Sequence, residues 1–556
     1  MLQDRYSVAT SLGGAWPIAL LVLASPGASQ QAAIPDPVRA AAQVITADQL
    51  RRDVHFLASD ALRGRATATP GFDSAAAYII RRLERLALRP AGDSATYRQH
   101  YTVLEASLDT LRTRVTLAGR ALRYGEDFLV RQFADSGAVS GPVVYVGHGI
   151  RAPRRGIDPY AGLNVQGAFL VAHWPPALPR GESFETLGRF RTDWQPAPDA
   201  AEALGAAGVI YVGPPDARAR WERLRASGVP IRTRELDPPV PSAYRRTRIL
   251  SLEIAPSLLD TLLAGERVGA AEVRAGAASR DYVPAFALGP DKRVAVHVAL
   301  ASATALRPYN VVAMVEGSDP RLRQEAVILL AHLDGAVGTQ AVGGDSIYNA
   351  ADDNASGSAA ILGVAEAMAR APRPRRSVIF LWDSGEEVGL WGSRHFVSRP
   401  VVPLENVVTV VNVDMIGRSR PPGSADTADA ELTGPGEVYV TGPGVLSEAL
   451  DSLVTRANAA YLGLRLNRRY DVATHEFFYP RTDAGPFLER GVLMLEFFTG
   501  LHGDYHEPGD EPDKLDPAKM EQIARTVFVT AWLLADAPER PALDKGIPPT
   551  VPRYPR

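Results

Sequence analysis

Apolar residues along the chain change their period twice, and each change marks a different kind of structure. In "ITADQLRRDVHFLASDALRGR", Leu50, Val54 and Leu57 recur at helical spacing; in "GFDSAAAYIIRRLERLAL", Ile79, Leu83 and Leu86 do the same, and Pro90 ends the run. From about residue 125 the helical period gives way to short β-rich runs bounded by Gly and Pro: "GPVVYVG", "GAFLVAHW" and "AGVIYVG". Pro-rich loops ("WPPALPRG", "ELDPPVPSAY") and one short helix, "DAAEALGAAG", separate them. From "NVVAMVEG" (310–317) onward, continuous apolar runs of the buried-strand kind alternate with helices. The strands are "AVILLAH", "SVIFLWD", "VVTVVNVDM" and "GVLMLEFFTG"; the helices are "SAAILGVAEAMARA" and "PAKMEQIARTVFVTAWLLADA", with Pro517 in the first turn of the latter. This order predicts an α/β fold, a mostly parallel sheet sandwiched by helices, with a small β-rich domain inserted. The expected division is an export signal over 1–30 and the first part of the main domain over 40–125. The insert follows over 126–285, the rest of the main domain over 300–540, and a Pro-rich tail over 541–556.

Composition narrows the chemistry. The chain has 556 residues, 46% of them apolar, and a net charge of −3 without a basic block, so a nucleic-acid partner is not expected. It has no cysteine, which excludes disulfides, thiolate zinc sites, cysteine nucleophiles and a lipid-modified N-terminal cysteine. Any metal must be held by His, Asp and Glu. Near the N-terminus, Arg5 precedes "AWPIALLVLASPGAS", whose apolar core Ala15–Ala24 has signal-peptide length and is short for a membrane span. The expectation is a cleaved signal, a periplasmic or secreted protein and no stable membrane insertion afterwards; an uncleaved anchor is the competing reading. Oligomeric state is not legible.

In open α/β sheets, sites form beyond the carboxyl ends of the strands. "AVILLAH" ends on His332 and is followed by Asp334, Glu386 and Glu387 follow "SVIFLWD", Asp414 ends "VVTVVNVD", and His502, Tyr505 and His506 follow the last strand. "YNAADDNASGSAA" adds Asp352, Asp353 and Asn354 at a helix start, where capping is the ordinary role of such residues. Taken singly, each residue reads as an ordinary loop residue. His502 and His506 have the i,i+4 spacing of a zinc pair, but Gly503 and Pro508 argue against the helix it requires. Together they would crowd like charges at one sheet edge, a repulsion that a cation offsets. Imidazole with carboxylate suits zinc, admits manganese or cobalt, and suits calcium less well.

The stretches "AHLDG", "GDSIYNAADDNASG", "FLWDSGEEVGLWGS", "NVDMIGR" and "GLHGDYHEPGDEPDKLD", over residues 331 to about 516, resemble in order the motif blocks of metallopeptidase family twenty-eight. "GPVVYVGHGI" and "IDPYAGLNVQGAFLVA" resemble the protease-associated domain inserted in exported members. The resemblance implies a zinc aminopeptidase with two Zn2+ ions, Mn2+ or Co2+ being substitutes. His332 and Asp414 would bind metal, Asp353 would bridge the ions, and Glu387 and His506 would complete the shells. Glu386 would be the general base toward a metal-bridging water, and Tyr505 would hydrogen-bond the developing oxyanion. Asp334 would orient His332, Asp352 would cap or support, and Asp483 is retained from the relatives' "SDH". The chain departs from the family where Gly335 and Ala484 stand in place of histidines, which puts substrate contacts in doubt. His475 reads as a surface or packing residue, and His148 and His173 in the insert as structural. Peptides are the implied substrates. The alternatives are a carboxypeptidase or dipeptidase, a glutaminyl-cyclase-like enzyme, and a non-catalytic peptide-binding relative. The insert is expected to shape the entrance to the cleft.

Overall fold

The computed structural model describes residues 34–555 apart from 134–135, 188–190, 192, 214–220, 223–224, 227–231, 243–246, 337, 339–340, 474–480 and 549–550. The signal segment and His475 lie outside the described residues.

The main sheet is built from β1 (Arg89–Pro90), β2 (Arg98–His100), β3 (Tyr309–Val315), β4 (Ala326–His332), β5 (Ser377–Asp383), β6 (Val407–Val413), β7 (Glu437–Thr441), β8 (Arg465–Asn467) and β9 (Leu493–Phe498). Their order is β1-β3-β5-β4-β6-β9-β7-β8, with β2 also on β3. The four central strands, β5-β4-β6-β9, run parallel, and every residue in them is buried. Burial on both faces explains why they read as unbroken apolar runs. β3 and β7 are antiparallel to their central neighbours. β3 is as continuously apolar as the others, because periodicity reports burial and carries no information on strand direction.

Helices cover this sheet: α1 (Ala47–Leu57), α2 (Pro70–Arg85), α3 (Gly357–Arg370), α4 (Trp391–Ser398) and α5 (Pro517–Asp536). Their starts are set locally. The side chains of Thr46, Thr69 and Asp516 accept from the backbone N–H groups of Gln49, Phe72 and Lys519, and Pro70 and Pro517 stand in first turns, where no N–H is needed. α1, α3 and α5 pack on one another and share one apolar core with the central strands.

A second sheet has its own core around Phe128, Tyr145, Phe169, Ile210 and Leu252. It draws strands from Arg114–Leu117, Arg120–Leu122 and Arg293–Val298 as well as from the segment between them. A three-stranded sheet, Thr102–Leu108, Arg232–Asp237 and Leu300–Leu306, adjoins it in sequence. The loop after Asp237 reaches the main domain: Arg394 Nη2 donates to Val240 O at 2.5 Å and Arg490 Nη2 to Pro241 O at 3.1 Å. His148 and His173 are buried in the second domain, where desolvation lowers both to about 4 and His173 meets the Tyr145 hydroxyl at 3.0 Å. Among the described residues, no helix is long and apolar enough to cross a membrane.

Candidate metal centre

The carboxyl ends of the central strands bring the predicted donors together. His332, the last residue of β4, places Nε2 3.2 Å from Asp353 Oδ1 and 3.4 Å from Asp414 Oδ1. His506, on the loop after β9, places Nε2 3.1 Å from Asp353 Oδ2 and 3.1 Å from Glu387 Oε2. Asp353 thus offers one oxygen to each histidine. Two three-residue donor groups result, His332–Asp353–Asp414 and Asp353–Glu387–His506, with the donor atoms of each within 4.8 Å of one another. His332, Glu386 and Glu387 form a third such group.

The donor chemistry fits divalent cations. His332 Nε2, Asp414 Oδ1 and Glu387 Oε1 are buried without hydrogen-bond partners, which is costly unless a ligand satisfies them. Electrostatics agree. Desolvation and the neighbouring Asp353 push Glu387 up to about 7. Burial would likewise raise Asp353, but the neighbouring imidazoles of His332 and His506 hold it well below its ordinary value. Burial opposes charge on His506, yet Asp353 and Glu387 push it up to about 10. Desolvation, with Glu387, Asp483 and Asp414 nearby, raises Glu386 well above the usual carboxyl range, although His332 opposes this.

A pH dependence follows. Without metal, His506 holds a proton below about pH 10 and Glu387 below about pH 7. A cation must displace both. Zinc affinity of the Asp353–Glu387–His506 group is therefore expected to fall about tenfold per pH unit between pH 8 and 7, and about a hundredfold per unit below pH 7. Competition with a chelator of known pH dependence measures both slopes.

The supporting residues depart in part from expectation. Asp334 orients His332 through its backbone: Nδ1 lies 3.1 Å from the Asp334 carbonyl and 3.9 Å from Oδ1. The Asp334 carboxylate instead accepts from the N–H groups of Gly385, at 2.9 Å, and Glu386, at 3.3 Å, and so fixes the loop that carries Glu386. Asp352 does not cap α3. Its Oδ1 accepts from Gly417 N at 2.6 Å, and Asn354 is the residue that accepts from Gly357 N, at 2.8 Å. A wide turn over Ala351–Ser356 turns Asp353 toward the histidines, and the Asp353–Asn354 peptide is cis. His502 belongs to none of the donor groups; it is buried with Nε2 3.5 Å from Asp352 Oδ2. Tyr505 stacks on His506, ring centroids 3.8 Å apart, and lines the cleft. Asp483 accepts from Ser393 Oγ at 2.9 Å and lies beside Asp383, away from the donors' hydrogen bonds. Gly335 has a packing reason: a Cβ there would stand 2.6 Å from Gly64 O and 2.7 Å from Ala350 Cβ.

Two residues of this support were not singled out by the sequence. Asp510 accepts from the backbone N–H groups of Asp352 (3.0 Å) and Asp353 (3.1 Å). Arg65 is fully buried, and its guanidinium donates to the carbonyls of Leu57, Leu333, Asn349 and Ala350, tying together the loops on which His332 and Asp353 sit. Neither lies at a strand end; only the run "ALRGR" and the acidic "GDEPD" mark them, and such runs are common on surfaces. Arg65→Met strands four carbonyls and is expected to cost roughly 2–4 kcal/mol, read as a Tm several degrees lower.

Comparison with known sequences now bears on these residues. Residues 310–531 match the profile of "Peptidase family M28". The matched segment is similar to that family. It carries all five donors and Glu386. A "Probable leucine aminopeptidase" of Arthroderma otae is 27% identical over 227 residues, 39% of this chain and 56% of that protein. An "Aminopeptidase" of Pseudomonas aeruginosa is 29% identical over 251 residues, 40% of this chain and 41% of that protein. The matches thus span about half the length of these relatives. Likeness of fold extends further: an aminopeptidase from Aneurinibacillus sp. strain AM-1 superposes with a TM-score of 0.51 at 16% identity, covering 93% of this chain and 99% of that one.

Proposed function

We propose that the chain is an exported, zinc-dependent aminopeptidase that releases N-terminal residues from peptides. The observation that carries this reading is the position of Asp353, shared between two donor groups with Glu386 beside them. His332, Asp353 and Asp414 would hold one ion; Asp353, Glu387 and His506 would hold the other. Bound divalent ions supply Lewis-acid charge to a scissile carbonyl and acidify water.

The remaining work falls to the chain. Glu386 and Glu387 are adjacent, and Glu387 is 3.1 Å from His506. Glu386, raised by its surroundings and held by the Asp334 carboxylate through its backbone, takes a proton from the attacking water and returns it to the leaving amine. Desolvation also raises the Tyr505 hydroxyl, keeping it protonated as a donor to the developing oxyanion. Glu386, outside both groups that contain Asp353, leaves a carboxylate on the cleft wall to meet a free α-ammonium group. Free aminoacyl coumarins are therefore expected to be cleaved and their N-acetyl counterparts spared, with two zinc equivalents per chain. Cleavage of only the acetylated substrates would eliminate the aminopeptidase reading, and one tightly held ion would favour a cyclase-like site.

A further inference from the structure

The cleft that holds the donors is also lined by Glu496 of β9, with Met415, Phe498 and Leu501 as apolar walls and Thr482 and the exposed Arg481 as polar ones. Glu496 is only 1% exposed, and its Oε2 has no hydrogen-bond partner. Thr482 and Asn412 flank the carboxylate, and desolvation raises it well above its ordinary range. It belongs to neither donor group. A buried carboxylate oxygen without a partner is unfavourable unless something that enters the cleft satisfies it. Apolar walls ending in a buried acid match a side chain made of methylenes ending in a cation.

We infer that Glu496 is the counter-charge for the side chain of the residue being removed, which makes the cleft selective for N-terminal lysine or arginine. This rests on the aminopeptidase reading. The α-ammonium group is the other cation a substrate offers, but it is carried by every aminopeptidase substrate and needs no apolar walls.

Lysyl and norleucyl coumarins separate these cases, since they share the α-amine and chain length and differ in the terminal charge. The wild-type kcat/KM is expected to favour lysine roughly 10- to 100-fold, and Glu496→Gln is expected to bring the ratio close to one. Calorimetric binding of free lysine against norleucine to the zinc-loaded protein should show the same preference, and it serves if the variant turns over too slowly to assay. A wild-type ratio at or below one overturns the inference. So does an equal loss for both substrates in Glu496→Gln, which would assign the carboxylate to the α-ammonium. Wild-type enzyme that cleaves norleucyl substrate without preferring lysine fails only this inference; wild-type enzyme that cleaves neither fails the aminopeptidase reading as well.

Discussion

Glu386→Gln is expected to lower kcat by roughly 10²- to 10⁴-fold, the usual contribution of a positioned acid–base group, while zinc content stays at the wild-type value. The two halves of that result have separate physical sources. Glu386 lies within the reach of His332 and Glu387, but neither group containing Asp353 needs its oxygens. Glutamine keeps the shape and loses the ability to accept a proton. The backbone N–H of residue 386 still donates to Asp334, so the loop holds its position. Metal analysis and steady-state kinetics on one preparation decide the matter. Full activity in the variant would assign the proton transfer to another group, and lost zinc would make Glu386 a ligand.

The convergence of these side chains on one edge was legible in the sequence because strand geometry does most of the placing. Four buried strands run parallel, so the residues at or just beyond their ends, His332, Glu386, Glu387 and Asp414, share one edge. His506 required more: it is eight residues beyond the end of β9 with a positive φ of 58°, and only the family resemblance chose it over His502. The support was harder to read. That Asp334 acts on His332 through a carbonyl and on Glu386 through its carboxylate is a matter of where a turn points its groups, which residue types do not encode. Arg65 sits 267 positions before His332 and acts through backbone carbonyls, which any residue could supply. The antiparallel edges of the sheet were hidden for a related reason, since a buried strand has the same composition in either direction. Glu496 lies inside the apolar run of β9 and carries no signal there, because its meaning depends on the partner its Oε2 lacks.

Asp353→Asn is expected to abolish binding of both ions, whereas Asp414→Asn, which touches only the His332 group, is expected to weaken one. Asparagine keeps the side-chain shape but offers a single neutral oxygen donor where Asp353 presents a charged oxygen to each histidine. The metal-free fold should change little, because two effects oppose each other. Asp353 is ionised above its depressed pKa and pairs with His332 and His506, a contribution lost on substitution. The same charge raises Glu387, and that repulsion is relieved. The difference should therefore appear when zinc is added. At a free concentration about a hundred times the Kd, a bound ion stabilises the wild type by roughly 2.7 kcal/mol, read as a rise in Tm, and the Asp353→Asn variant should show almost none of that rise. An unchanged zinc increment in Asp353→Asn would mean that the two donor groups do not depend on their shared carboxylate, and the paired-ion reading would fall with it.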